Sequence, residues 1–324
     1  MKVLVSQNGQ KLGPHSPEEL RELVYCGEVQ RSALAQVEGE SDWMSVDTLL
    51  TRPASRPAAP VAPKIVIPFE QLRDPKERKA LLWLYFASAP AWLLLVGWSV
   101  LSFGLPLLII GVVLLAKLFG ELWFTAHLRT NAIRVSATQL PELHRAVLAS
   151  CGRLGLAVPE VYVMQQNIWN AFATRILGHN IVVLLSGAVD SILLKGDMTQ
   201  LTWLVGHELG HHRAGHLRFI RKLAGLGNWC IWLRLWYSRR CEFTSDRLAL
   251  YCAGNLNASQ RALINATVGA QLADQVNLKE AVQQWQQHSG EFFVRYRTLY
   301  ATHPHLLARL AHLQAAAVEL GIPG

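Results

Sequence analysis

Charge is what this chain is short of, and where it is missing matters more than how much. Of 324 residues 17% are charged and 51% hydrophobic, with a mean hydropathy of +0.19. The shortage is local: neither a charged residue nor a histidine stands between Lys79 and Lys117. As one helix that run would reach about 55 Å, against a bilayer hydrocarbon core of about 30 Å. Two membrane-spanning helices are therefore expected, near 80–101 and 105–124, with Ser102-Phe103-Gly104-Leu105-Pro106 as the turn. A hairpin buried in a soluble core is the poorer reading of so long a run. Cysteine is also scarce. The five present, Cys26, Cys151, Cys230, Cys241 and Cys252, are odd in number and show no paired spacing, which speaks for reduced thiols and against a disulfide framework. The first 20 residues have no apolar stretch, so a secretory signal peptide is not expected. No nucleic-acid motif accompanies the net charge of +8, which suits anionic lipid headgroups better.

Basic residues flank the hairpin on both sides. Lys64, Arg73, Lys76, Arg78 and Lys79 precede it, Lys117, Arg129 and Arg134 follow, and the turn is uncharged. By the positive-inside rule both ends should face the cytoplasm. Residues 217–237 combine Arg218, Arg221, Lys222 and Arg234 with Trp229, Trp232 and Trp236 around an uncharged centre too short to span. They read as an interfacial amphipathic helix or, equally, as a Trp-rich helix packed in the protein core.

The chemistry is carried by His207-Glu208-Leu209-Gly210-His211. Residues four apart share a helix face, so both imidazoles can aim at one metal with Glu208 beside them. Zinc held by three protein ligands keeps a fourth position for water, lowers that water's pKa to about 7, and leaves a nearby carboxylate to take its proton. This is the pattern of metal-assisted peptide hydrolysis; a chance match on the polar side of an ordinary helix is the bland alternative. Leu201, Leu204 and Val205 carry the helical period up to the motif. His212 and His216 fail as a third ligand, because on a continuous helix His216 lies on the face opposite His207. A third histidine three residues past a glycine would need Gly at 214 and His at 217, where Ala214 and Leu217 stand. Glu242 and Asp246 remain, one helical turn apart. Glu242 could complete a two-His-one-Glu site and Asp246 could fix a ligand imidazole's tautomer; alternatively both belong to a solvated face paired with Arg239, Arg240 and Arg247.

The segments HELGHHRAGH and SRRCEFTSD resemble the zinc endopeptidase family that includes the bacterial heat-shock membrane protease HtpX and the CAAX prenyl proteases. Further stretches agree in order: Leu140-Pro141-Glu142-Leu143, Leu154-Gly155-Leu156, Pro159-Glu160-Val161-Tyr162-Val163, Asn170-Ala171-Phe172-Ala173, Ile181-Val182-Val183-Leu184-Leu185, and Thr302-His303-Pro304 with Arg309. The likeness covers residues 137 to 315. It implies a mainly α, gluzincin-like catalytic domain with a small β-sheet and one zinc ion per chain. By the same likeness His207, His211 and Glu242 are the ligands, Glu208 the general base and Asp246 a support behind them. Asn170 and His303 become candidates to stabilise the oxyanion, with Arg309 positioning His303. Substrate would lie as an added strand along an edge near Asn170. The family usually has Ala where Ser245 stands, a small-for-small change.

The N-terminal 50 residues are a separate unit, followed by a Pro/Ala-rich linker and basic segment over 51–79. Gly9, Gly13-Pro14, Glu18-Glu19-Leu20, Leu23, Gly27 and Trp43 resemble the second type of GYF domain, a small α+β module of peptide or protein recognition, although Lys2-Val3-Leu4-Val5 replaces its opening aromatic pair. The expected arrangement is thus 1–50 GYF-like, 51–79 linker, 80–124 hairpin and 125–324 peptidase. The chain reads as a membrane-anchored zinc endopeptidase of a bacterial inner membrane, acting on membrane or misfolded proteins, with the bilayer and a protein partner of the GYF-like module as further contacts. The rival is a non-catalytic adaptor with a structural or latent zinc site.

Overall fold

A computed structural model describes residues 3–7, 10–16, 19–20, 23–24, 26–38, 42–51, 67–165, 171–218, 221 and 223–324. The chain divides into two compact units, Met1–Val66 and Ile67–Gly324.

In the first unit, β1 (Val3–Gln7), β2 (Gln10–His15), β3 (Leu34–Val37) and β4 (Met44–Ser45) form an antiparallel sheet ordered β2-β1-β3-β4. Alternation puts Val3 and Val5 on one face, where they pack with Leu20, Val29, Ala35, Val37 and Val46 of the short helix α1 (Val46–Thr51). Gly13 is required at its place: its φ is +111° and an added Cβ would stand 2.9 Å from the Val3 carbonyl oxygen. Residues 52–66 of the expected linker lie outside the described residues.

The second unit opens with a one-turn helix α2 (Phe69–Leu72) and then two long apolar helices, α3 (Glu77–Leu101) and α4 (Leu105–Asn131). Phe103 and Gly104, at φ 52° and 88°, make the turn between them, and Pro106 starts α4 where its missing N–H costs nothing. Both are long and apolar enough to cross a membrane, and their flanks are bare: Phe86 is 73% exposed, Leu94 74% and Leu108 67%. A soluble core helix would bury these residues.

Next come β5 (Ile133–Arg134), α5 (Pro141–Leu154), β6 (Glu160–Met164), β7 (Ala171–Ile176), β8 (His179–Leu185), α6 (Ser186–Leu194) and α7 (Met198–Ala214). The sheet runs β5-β6-β8-β7, with β6 and β8 parallel and the other pairs antiparallel, so β7 is an edge. Helix α7 is capped by Asp197, whose carboxylate accepts from the Thr199 and Gln200 N–H groups at 3.0 Å. Then follow α8 (Ile231–Ala253), α9 (Leu256–Val268), α10 (Ala270–Ala273), α11 (Leu278–His288), α12 (Phe292–Tyr300) and α13 (Leu306–Leu320). The unit is mainly helical, with one small sheet.

Residues 217–237 do not form one helix. Leu223–Trp229 is a 3-10 segment and α8 begins only at Ile231. Gly227 lies in that segment, its backbone packed so closely on α3 that an added Cβ would meet the Leu84 carbonyl.

Candidate metal centre and catalytic cleft

Two helices with almost no space between them build the site. Along α7, Gly206 and Gly210 face α8; an added Cβ at Gly206 would lie 2.9 Å from Cys252 Cβ, and one at Gly210 3.1 Å from Ser245 Cα. The departure at Ser245 is thereby accounted for, since a fully buried position against a glycine asks only for a small side chain. At this close approach His207 and His211 on α7 meet Glu242 on α8. His207 Nε2 is 3.5 Å from Glu242 Oε2 and His211 Nε2 3.7 Å from Glu242 Oε1. The donor atoms of the three residues all lie within 4.8 Å of one another, a set that could hold a metal ion. Two imidazoles and a carboxylate suit zinc, and the three, with His207 and Glu242 buried and His211 partly so, line one open cleft of about 660 Å³ that also takes in Phe172, Glu208, His303 and Arg309.

Behind the donors lies a second layer. His207 Nδ1 is 3.0 Å from Asp246 Oδ1, and Arg309 donates to both oxygens of Asp246, from Nη2 at 2.6 Å and Nε at 2.8 Å. Burial alone would raise the Asp246 carboxyl, but the Arg309 charge and its hydrogen bonds hold it down to about 2. Arg309 thus holds Asp246 rather than His303. Glu208 is 5% exposed, and burial pushes its carboxyl up to about 7, with the negative Glu242 adding to the rise. His303 is 67% exposed and its Nδ1 stands 3.4 Å from Glu242 Oε1, at the mouth of the cleft. Asn170 lies outside the described residues; the next residue, Ala171, starts the edge strand that lines the cleft.

The competing reading of the acidic pair fails on its arginines. Arg239 donates to the Leu299 and Ala301 carbonyls, Arg240 pairs with Asp74 at 3.5 Å, and Arg247 takes Glu319 and the Gln71 and Leu72 carbonyls. None of those bonds goes to Glu242 or Asp246, which are 8% and 0% exposed.

Helix projection also misplaces His216. Helix α7 ends at Ala214, and Gly215, left-handed at φ 71°, turns the chain back, so His216 Nδ1 comes 2.9 Å from His211 Nδ1. Its Nε2 faces Glu77 Oε1 at 3.4 Å, and Glu77 also receives Arg221 at 3.0 Å and the Thr244 hydroxyl. Glu77, His216 and Cys241 form a second cluster of metal-ligand types, but the Arg221 cation on Glu77 opposes an ion there. The residue after the helix, a glycine, was the signal for the turn; nothing local signals Glu77. His212 is structural: its Nε2 donates to the Ile181 carbonyl at 3.2 Å and ties α7 to the sheet.

The model of peptidase family M48 matches residues 137–233 and 220–317, and that of GYF domain 2 matches residues 4–49. The plastoglobule-localized metallopeptidase 48 of Arabidopsis thaliana chloroplasts is 25% identical over 195 residues, 54% of each chain. A protease HtpX homolog of Ralstonia nicotianae is 34% identical over 96 residues, 29% of this chain and 32% of the relative, and one of Ralstonia pickettii is 33% identical over 96 residues, again 29% and 32%. The chain therefore spans about half of the first relative's length and about a third of the others'. No solved structure matches.

Proposed function

The chain belongs to peptidase family M48, and on that premise we propose that it is a zinc-dependent endopeptidase held in a membrane by α3 and α4. One observation carries the reading: two imidazoles and a carboxylate converge within 4.8 Å beside a buried glutamate, on the wall of an open cleft. His207, His211 and Glu242 would hold the ion. Bound there, zinc supplies a water of pKa about 7 and polarises the scissile carbonyl.

The rest is done by the chain's own residues. The Glu208 carboxylate takes the proton of the attacking water and passes it to the leaving amine, and its burial, which raises its pKa, favours taking that proton. Asp246 orients His207 through Nδ1, held in turn by Arg309. His303, at the mouth of the cleft, donates an N–H to the developing oxyanion, and Asn170 is the second candidate for that role. The β7 edge would take an extended peptide as an added strand. Proteins of the bilayer or misfolded chains beside it are the proposed substrates, with both units on the cytoplasmic side of a bacterial inner membrane, as the basic flanks of the hairpin argue. The GYF-like module would recruit a protein partner.

The test is zinc content and peptide cleavage in detergent for the wild type and Glu208→Gln. Zinc retained by both with cleavage lost in the variant is expected. Zinc bound without cleavage by either would favour an adaptor or a latent enzyme. The proximity of His303 to Glu242 gives the latent form a specific basis, a histidine filling the fourth position, which cobalt spectra would distinguish from three protein ligands and water.

A further inference from the structure

Among the described residues, little covers the apolar side of the Phe292–Tyr300 helix. None of its residues is buried. Phe292, Phe293, Tyr296, Leu299 and Tyr300 fall at i, i+1, i+4, i+7 and i+8, one face of a helix. That face is bare: Phe292 is 73% exposed, Phe293 77% and Tyr296 50%. Its rings touch one another instead, Phe292 with Tyr296 at 6.2 Å and Tyr296 with Tyr300 at 5.1 Å between centroids. The helix carries Arg295 and Arg297 and no acidic residue.

The bare face is continuous with the apolar hairpin. Tyr300 meets the Trp232 ring edge-on at 6.5 Å. Trp229, Ile231 and Trp232 are themselves exposed, and the Trp229 indole N–H donates to the Ala87 carbonyl of α3 at 2.9 Å. A strip of Trp, Tyr and Phe therefore runs from the flank of the first apolar helix to Phe292. Amphipathic rings of this kind belong at the headgroup level, and arginines beside them suit anionic lipid phosphates.

We propose that this strip rests on the bilayer surface, with the Phe292–Tyr300 helix docked in the boundary between headgroups and acyl chains. The proposal rests on reading α3 and α4 as a membrane hairpin. It has a consequence for the cleft. Arg239 clamps the end of the helix through the Leu299 and Ala301 carbonyls, at 3.3 and 2.7 Å, and Thr302 and His303 follow directly. A cavity of about 900 Å³ between Phe293, Tyr296, Arg297 and His303 would open at the lipid surface, so a segment leaving the bilayer meets it before the metal centre.

The test uses the full chain in phosphatidylcholine vesicles containing phosphatidylglycerol, with Cys26→Ser and Cys230→Ser leaving only buried thiols. Nitroxides are placed singly through Phe293→Cys, Leu299→Cys, Leu94→Cys and, as the water-facing control on the polar helix α11, Gln287→Cys, all exposed positions where the fold is not at stake. Oxygen should relax labels at 293 and 299 several-fold better, relative to a water-soluble nickel chelate, than the label at 287. Chelate access at 293 and 299 equal to that at 287, with 94 still in an oxygen-rich phase, would overturn the proposal and leave the hairpin standing. Chelate access at 94 would remove both. Shielding of 293 and 299 from both reagents would mean that a protein, such as a second copy, covers the face, and would overturn it too.

Discussion

His211 and His216 lie Nδ1 to Nδ1 at 2.9 Å, so one ring must carry the proton that the other accepts. If His211 offers Nε2 to a metal, its Nδ1 is the donor and His216 sets its tautomer. Glu77, at the start of the first apolar helix, stands behind His216. Replacing His216 with Ala should weaken zinc binding by about 10- to 100-fold, the range for residues that orient a ligand, and Glu77→Gln should act in the same direction. Chelator competition measures both, and affinities at the wild-type value would remove the relay.

Asp246, fully buried, and Arg309, largely so, form a doubly bonded ion pair. Removing one partner strands the other's charge, at a cost of about 3–5 kcal/mol. Asp246→Asn and Arg309→Met should each lower the melting midpoint in detergent strongly. The double variant should lose less than the two losses added, because it leaves no lone ion.

Gly206→Ala puts a methyl against Cys252 Cβ and the Ala249 backbone. The two ligand-bearing helices must then part. A loss of about 1–3 kcal/mol is expected from overpacking, together with weaker zinc retention, since His207 and Glu242 sit on the helices that move. Thermal melting and metal analysis of one preparation would test both effects.

Three thiols should be silent in the folded protein. Burial pushes Cys151 up to about 11 and Cys252 up to about 12, and raises Cys241 as well. At pH 8 their reactive thiolate is scarce and shielded. Iodoacetamide followed by peptide mapping should find Cys26, which is exposed, modified first, and the three buried thiols only after denaturant. Fast labelling of Cys252 in native protein would contradict the packing of α7 on α8.

What could be read without coordinates were the properties that a short stretch of chain carries by itself. The missing charge between Lys79 and Lys117 announces long apolar helices because a helix that length leaves no polar face for water. The β-branched run Ile181-Val182-Val183 announces a strand, found as His179–Leu185. His207 and His211 share a face wherever a helix forms. Projection failed where the helix stopped: carried past Gly215 it sends His216 to the wrong side, and across Gly225 and Gly227 it draws one helix through 217–237 where the chain makes a 3-10 turn. Periodicity says which residues share a face but not what that face meets. Glu242 and Asp246 sit one turn apart in either reading of them, and only the packing of α7 on α8, with the arginines drawn off to Asp74, Glu319 and the α12 carbonyls, turns them inward. Arg309 on Asp246 and Glu77 behind His216 are contacts between segments far apart in the chain, formed by the folded core and written in no local pattern.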